Sequence, residues 1–261
     1  MSTCYKNFPV IITYEDGSTE KIYANSVSLN ENVNLESMES LGAKGATSVL
    51  NRTAPEGSIS IESYMSSGIL QTLDLIQANN QNITIQFGPY QTPSPCVLNS
   101  LNVSVSVGEP LSLSRDYTYY GSVSTVSLPT PDAPEITPVI PEGVSISGYS
   151  TIGGSNIITD MSWSVSQNYQ TFNLLGNVTP VVVYSNGQKS LNINGESFTE
   201  SLMQSPTAGC VVPPKDYSVT ISGCGTGLGT LTMSNAYMTS RSSDVDPESV
   251  EKNSVSIIEY L

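Results

Sequence analysis

The residues able to do chemistry in this chain are few, and most of them are carboxylates. The densest group is Asp244, Asp246, Glu248 and Glu251 in "SSDVDPESVEKN". Paired carboxylates can divide acid and base roles, and such oxygens could hold calcium. The stretch lacks the spacing and the glycine of a calcium-binding hand, and Pro247 makes it turn-rich, so it reads as a solvated acidic loop. Histidine is absent from the whole chain. Without it there is no Ser-His-Asp or Cys-His nucleophile system, and the usual general base near neutral pH is missing. Cys4, Cys96, Cys210 and Cys224 are widely spaced, form no C-x-x-C pair and have no histidine to complete a metal set. Free buried thiols in a reducing cytoplasm are the expectation.

Two further stretches invite a binding reading. "SGCGTGLGTL", Ser222 to Leu231, is glycine-rich like a phosphate loop, but a strand-like run follows it where a phosphate cradle needs a helix N-terminus. A hairpin between strands is the simpler reading. Trp163, the only tryptophan, could form a sugar-binding platform if exposed. It stands in phase with Met161 and Val165, however, which predicts core packing. No enzymatic activity, cofactor or metal is expected.

The elements that would carry these residues are strands. Charged residues make up only 12%, with Ser, Thr and Asn at the polar positions, and the 23 acidic against 9 basic residues give a net charge of -14. That balance argues against a nucleic-acid-binding face. "NITIQF", "SLNVSVSV", "TDMSWSVSQ", "VVVYS", "KSLNING" and "YSVTISG" all alternate with period 2. One helix is predicted, "GILQTLDLIQANN" from Gly68, with Ile69, Leu70, Leu73 and Ile76 on one face; the later "ESLMQSP" has room for barely one turn. The N-terminal stretch is not a secretory signal, and no apolar run is long enough to span a bilayer.

The chain also resembles itself. When "SVSLNENVNLESMESLG" is laid over "DMSWSVSQNYQTFNLLG", Ser28 falls on Ser162, Leu29 on Trp163, Asn34 on Asn168 and Met38 on Phe172. The terminal Leu41-Gly42 falls on Leu175-Gly176. "GSISIESY" from Gly57 follows in order against "KSLNINGESF" from Lys189, then "ITIQF" against "VTISG". "LSRDYTY" lies over "VEKNSVS", placing Arg115 on Lys252. Between the halves "LPTPDAPEITPVIPEG" holds five prolines, an extended and semi-rigid linker. The expected organisation is a β domain over 1–127, a Pro-rich linker over 128–143 and a second β domain over 144–261. Each would be a β-sandwich or barrel with a short flanking helix.

The duplicated block, with its Leu-Gly close, resembles the tail tube proteins of tailed bacteriophages, and the resemblance covers most of both halves. It implies a small β-sandwich or barrel with one flanking helix in each half, assembled with other copies of itself. Two fused copies imply trimeric rings with pseudo-sixfold symmetry, stacked in the virion tail and in contact with other tail proteins. Viral DNA would pass through the lumen without specific binding, and no membrane is involved. The resemblance further implies that the loops after each Leu-Gly, 42–57 and 176–188, reach neighbouring subunits or rings; Gly42, Lys44, Arg52, Pro55, Gly176, Pro180 and Tyr184 are the residues concerned. Two other readings remain open from sequence: a tandem carbohydrate-binding, adhesin or decoration protein, and another ring component such as a terminator or baseplate hub.

Overall fold

The computed structural model describes residues 8–33, 35–38, 48–51, 54–64, 82–106, 108–131, 140–147, 157–196, 213–223, 226–244 and 252–261. The described part is mainly β, built on antiparallel sheets, and holds no helix. The predicted helix from Gly68 and the "ESLMQSP" stretch lie outside the described residues.

Seventeen strands follow in chain order: β1 (Val10–Thr13), β2 (Thr19–Ile22), β3 (Ala24–Asn32), β4 (Leu35–Met38), β5 (Ser48–Asn51), β6 (Glu56–Tyr64), β7 (Thr84–Phe87), β8 (Tyr90–Gln91) and β9 (Cys96–Ser106). They continue with β10 (Ser112–Tyr120), β11 (Ser124–Thr125), β12 (Pro141–Ser147), β13 (Ile157–Phe172), β14 (Val181–Glu196), β15 (Lys215–Gly223), β16 (Thr226–Asp244) and β17 (Lys252–Tyr260). A five-stranded sheet has the order β11-β8-β7-β1-β2, and β4 and β5 form a separate hairpin. The large sheet has ten strands in the order β12-β15-β16-β17-β14-β13-β9-β10-β6-β3. It joins strands from both halves of the sequence, because β9 pairs with β13.

Alternation explains which face each strand buries. From Leu111, the residues Leu113, Arg115, Tyr117 and Tyr119 are buried while those between them are half-exposed. Val10, Ile12, Ile22 and Ile85 of the small sheet share one core cluster with Ile59, Ile61, Val103 and Leu113 of the large sheet, so the two sheets stack face to face. In the second half, Val219, Ile221, Leu231 and Met233 join Trp163, Leu191, Ile193 and Ile257. The opposite face carries short polar ladders: Ser164 with Ser190 at 2.6 Å, Ser100 to Asp116 at 2.7 Å, Ser256 to Asn192 at 2.7 Å. These hydroxyls account for a polar surface built with so little charge.

Within the large sheet two runs have the same internal order. β3-β6-β10-β9 and β13-β14-β17-β16 each place the third strand of the run in chain order at the end, behind the fourth. Their registers also correspond. Leu29 pairs with Ile59, and Trp163 with Leu191. Ile59 then pairs with Tyr117, and Leu191 with Ile257. Each run has a bulge that skips Asn25 or Thr159 in its first strand, and another that skips Asn99 or Thr239 between its last two. Through these ladders Arg115 corresponds to Val255, three positions beyond the Lys252 that the sequence overlay assigned. The bulges and insertions between blocks displaced that overlay.

Candidate functional site

β13 and β14 are far longer than their neighbours, and the excess builds a projecting arm. β13 pairs with β9 only as far as Ser166, opposite Ser100, and β14 pairs with β17 from Gln188, opposite Tyr260. Beyond those points Tyr169 to Phe172 pair only with Tyr184 to Val181. Six further residues of β13 correspond to about 20 Å of extended chain. Asn168 Nδ2 donates to Asn186 Oδ1 at 2.8 Å, and the rings of Tyr169 and Tyr184 meet edge to face at 5.9 Å. Burial, and then the nearby Tyr184, push the Tyr169 phenol above its ordinary pKa, so it stays neutral.

The arm's tip is apolar and exposed. Phe172 (49%), Leu174 (51%), Leu175 (108%) and Val178 (72%) face solvent, whereas Pro180 and Val182 are buried. The Ala54 amide donates to the Val178 carbonyl at 3.3 Å, which ties the tip to the chain entering β6. Gly176 turns the tip with φ +89 and has open space around its Cα. A cluster of exposed large apolar side chains of this kind is characteristic of an interaction surface.

Both loops of the sequence reading are partly strand: the span 42–57 contains β5 and the start of β6. Only 176–180 of the span 176–188 is loop; β14 begins at Val181, because three consecutive valines favour a strand, and Tyr184 is a strand residue. Asn34, Leu41, Gly42, Lys44 and Arg52 lie outside the described residues. Pro55 is half-buried, and its carbonyl accepts from the Gly121 amide at 2.7 Å.

Of the chemistry-bearing candidates, Asp246, Glu248 and Glu251 lie outside the described residues, as do Cys4, Cys210 and Cys224. Cys96 is buried, and burial pushes its thiol up to about 12, so it is no nucleophile at neutral pH. Gly223 pairs with Thr226, and strand β16 follows the glycine-rich stretch where a phosphate cradle needs a helix N-terminus. Trp163 is 3% exposed and cannot serve as a sugar platform; its Nε1 is buried without a hydrogen-bond partner.

One polar constellation went unread in the sequence. Arg115, 4% exposed, donates from Nη1 and Nη2 to Glu20 at 2.9 and 2.8 Å, and the Tyr14 hydroxyl donates to the same carboxylate. The group links β2 of the small sheet to β10 of the large one. Burial would raise the Glu20 pKa, but the hydrogen bonds and charge of Arg115 outweigh it and hold the carboxyl below its ordinary value. The signal was an arginine at an inward position between Leu113 and Tyr117. With its cation paired to Glu20, the group acts as a clasp between sheets.

No family model matches the chain, and comparison with curated proteins gives no match.

Proposed function

We propose that this chain is a structural virion protein whose copies close into rings and stack into the tail tube of a tailed bacteriophage, the conduit for DNA ejection. One observation carries the reading: the run β3-β6-β10-β9 is followed edge to edge by β13-β14-β17-β16, with matching bulges. On this reading the halves 1–127 and 144–261 are two copies of one domain joined by the linker 128–143, and the β9·β13 ladder is the junction between domains. Repeating that junction between chains makes a heterologous contact, which closes when each step turns by about 60°. Three chains then form a trimeric ring with pseudo-sixfold symmetry.

The geometry of closure supports a conduit. Eight strands from each of three chains, spaced about 4.8 Å apart and tilted about 35–45°, enclose a barrel about 45–50 Å across its backbone. The core packs on one face of the sheet, so the other face lines the lumen, with residues such as Ser60, Ser100, Asp116, Ser164, Asn192 and Ser256. Carboxylates there, such as Asp116, repel DNA phosphates, and the neutral hydroxyls and amides offer no basic patch to hold them. The apolar arm tip at 172–178 suits contact with the next ring or with other tail proteins.

The carbohydrate-binding, adhesin or decoration reading loses the Trp163 platform, since that ring is in the core. A terminator or baseplate hub would use the same ring without indefinite stacking. Negative-stain micrographs of the purified protein at rising concentration test the proposal: tubes support it, isolated rings favour the terminator or hub, and a monomer retained on a glycan array refutes it.

A further inference from the structure

The junction inside the chain specifies, residue by residue, what a junction between chains would contain. In β9·β13, Ser100 pairs with Ser166, Leu101 with Val165, Asn102 with Ser164, Val103 with Trp163 and Ser104 with Ser162. The apolar members of this ladder, Leu101, Val103, Trp163 and Val165, are each at most 3% exposed, so hydrophobic packing holds the halves together.

Among the described residues, the corresponding edges at the two ends have no such partner. Among the described residues β3 ends the large sheet, pairing only with β6. β16 pairs with β15 through its first part, to Ala236, and with β17 from Tyr237 to Asp244, so this second part has one edge unpaired among the described residues. The switch falls beside Asn235, which takes φ 53.

Register fixes the counterparts. Leu29 and Trp163 occupy the same place in β3·β6 and β13·β14, so Glu31 corresponds to Val165 and Asn32 to Ser166. The shared bulge at Asn99 and Thr239 makes Ser100 correspond to Ser240, and therefore Leu101 to Arg241. Transferred to the open edges, the ladder sets Ser240 against Asn32, Arg241 against Glu31, Ser242 against Asn30, Ser243 against Leu29 and Asp244 against Ser28. The apolar pair Leu101–Val165 is thus replaced by a cation and an anion at directly opposed positions. With only 9 basic residues in the chain, an arginine at this one register position is a specific provision.

We infer that Arg241 of one copy and Glu31 of the next form a charge lock that sets the partner and register of the inter-chain ladder between β16 and β3. The inference rests on the ring reading above. Its physical sense is that an unpaired edge must stay soluble until it meets the right partner, and charges on an edge block indiscriminate pairing. Opposite charges then reward one register, whereas slipping by one residue turns every side chain to the other face. Two copies of the β3 edge would set Glu31 near its own like, which disfavours the symmetric pairing.

The test is charge reversal in the full chain, read by sedimentation velocity and negative-stain microscopy. Glu31→Arg and Arg241→Glu singly should each weaken association by roughly tenfold or more, because like charges face one another across the ladder. The double variant carrying both reversals should regain association to within roughly threefold of the wild type, since it restores an opposite pair. Thermal melts followed by Trp163 fluorescence check that each variant folds. Should a single reversal not fold, Asn30→Cys with Ser242→Cys provides the second measurement: mild oxidation should give inter-chain disulfides that neither single cysteine variant gives. Assembly unchanged by both single reversals, no rescue in the double variant, or no specific cross-link would overturn the lock while leaving the rings standing. A wild-type chain that stays monomeric at every concentration would instead overturn the ring reading itself.

Discussion

Replacing Glu20 with Gln should destabilise the fold by about 3 kcal/mol, the lower end of the cost of breaking a buried ion pair. Arg115 is 4% exposed and Nη1 and Nη2 both donate to Glu20, at 2.9 and 2.8 Å. A guanidinium cannot discard its charge, so the variant leaves a buried cation facing a neutral amide. The amide keeps one acceptor oxygen, which is why the upper end of the range is not expected. For a chain of this size about 3 kcal/mol corresponds to a fall in Tm of about 6–12 °C. The assay is thermal unfolding followed by Trp163 fluorescence between pH 3 and pH 7, where each pH is roughly set by ordinary carboxylate and neutral ranges. Glu20 has a folded pKa below its ordinary 4.5, so its pairing contributes fully above that value and is lost as pH falls through the folded pKa. The wild type should therefore lose part of its margin on acidification below pH 4.5, and Glu20→Gln should show a shallower loss there. Glu20→Leu combined with Arg115→Met should be more stable than Glu20→Gln alone, because no uncompensated charge remains. A Tm for Glu20→Gln within about 2 °C of wild type, with the same acid slope, would refute the clasp.

Three other outcomes are expected, the last two on the ring reading. Trp163→Ala should cost about 3–5 kcal/mol, read as a lower urea midpoint, because the ring is 3% exposed at the junction between β9 and β13; an unchanged midpoint would contradict that packing. Leu175→Asp should leave stability within about 0.5 kcal/mol, because the side chain is fully exposed, yet shorten the tubes; tubes of normal length would remove the tip from stacking. On the ring reading, deleting Lys44 to Arg52, which removes β5 of the β4–β5 hairpin, should leave folded protein that no longer polymerises, and unchanged tube length would exclude a role for that hairpin.

Strands were legible in the sequence because half-buried strands alternate, and "TDMSWSVSQ" lies within β13 with Trp163 in the core. Partner and register were not, because a ladder joins residues far apart in sequence and each bulge shifts the phase by one. That is how Arg115 came to be laid over Lys252 when its ladder position corresponds to Val255. Val181 to Val183 fell both in the strand-like "VVVYS" and in the loop span 176–188, and the strand reading is the one that β14 bears out. Arg115 escaped notice as a core residue since a charged side chain is buried only with a partner, and Glu20 lies far away in sequence.

The most direct measurement is end-on electron microscopy of assembled wild-type protein, with the number of chains per ring counted by native mass spectrometry. The account predicts stacked rings of three chains, pseudo-sixfold in projection, around a barrel about 45–50 Å across its backbone. Rings of six chains, or a protein that remains monomeric at every concentration, would contradict it.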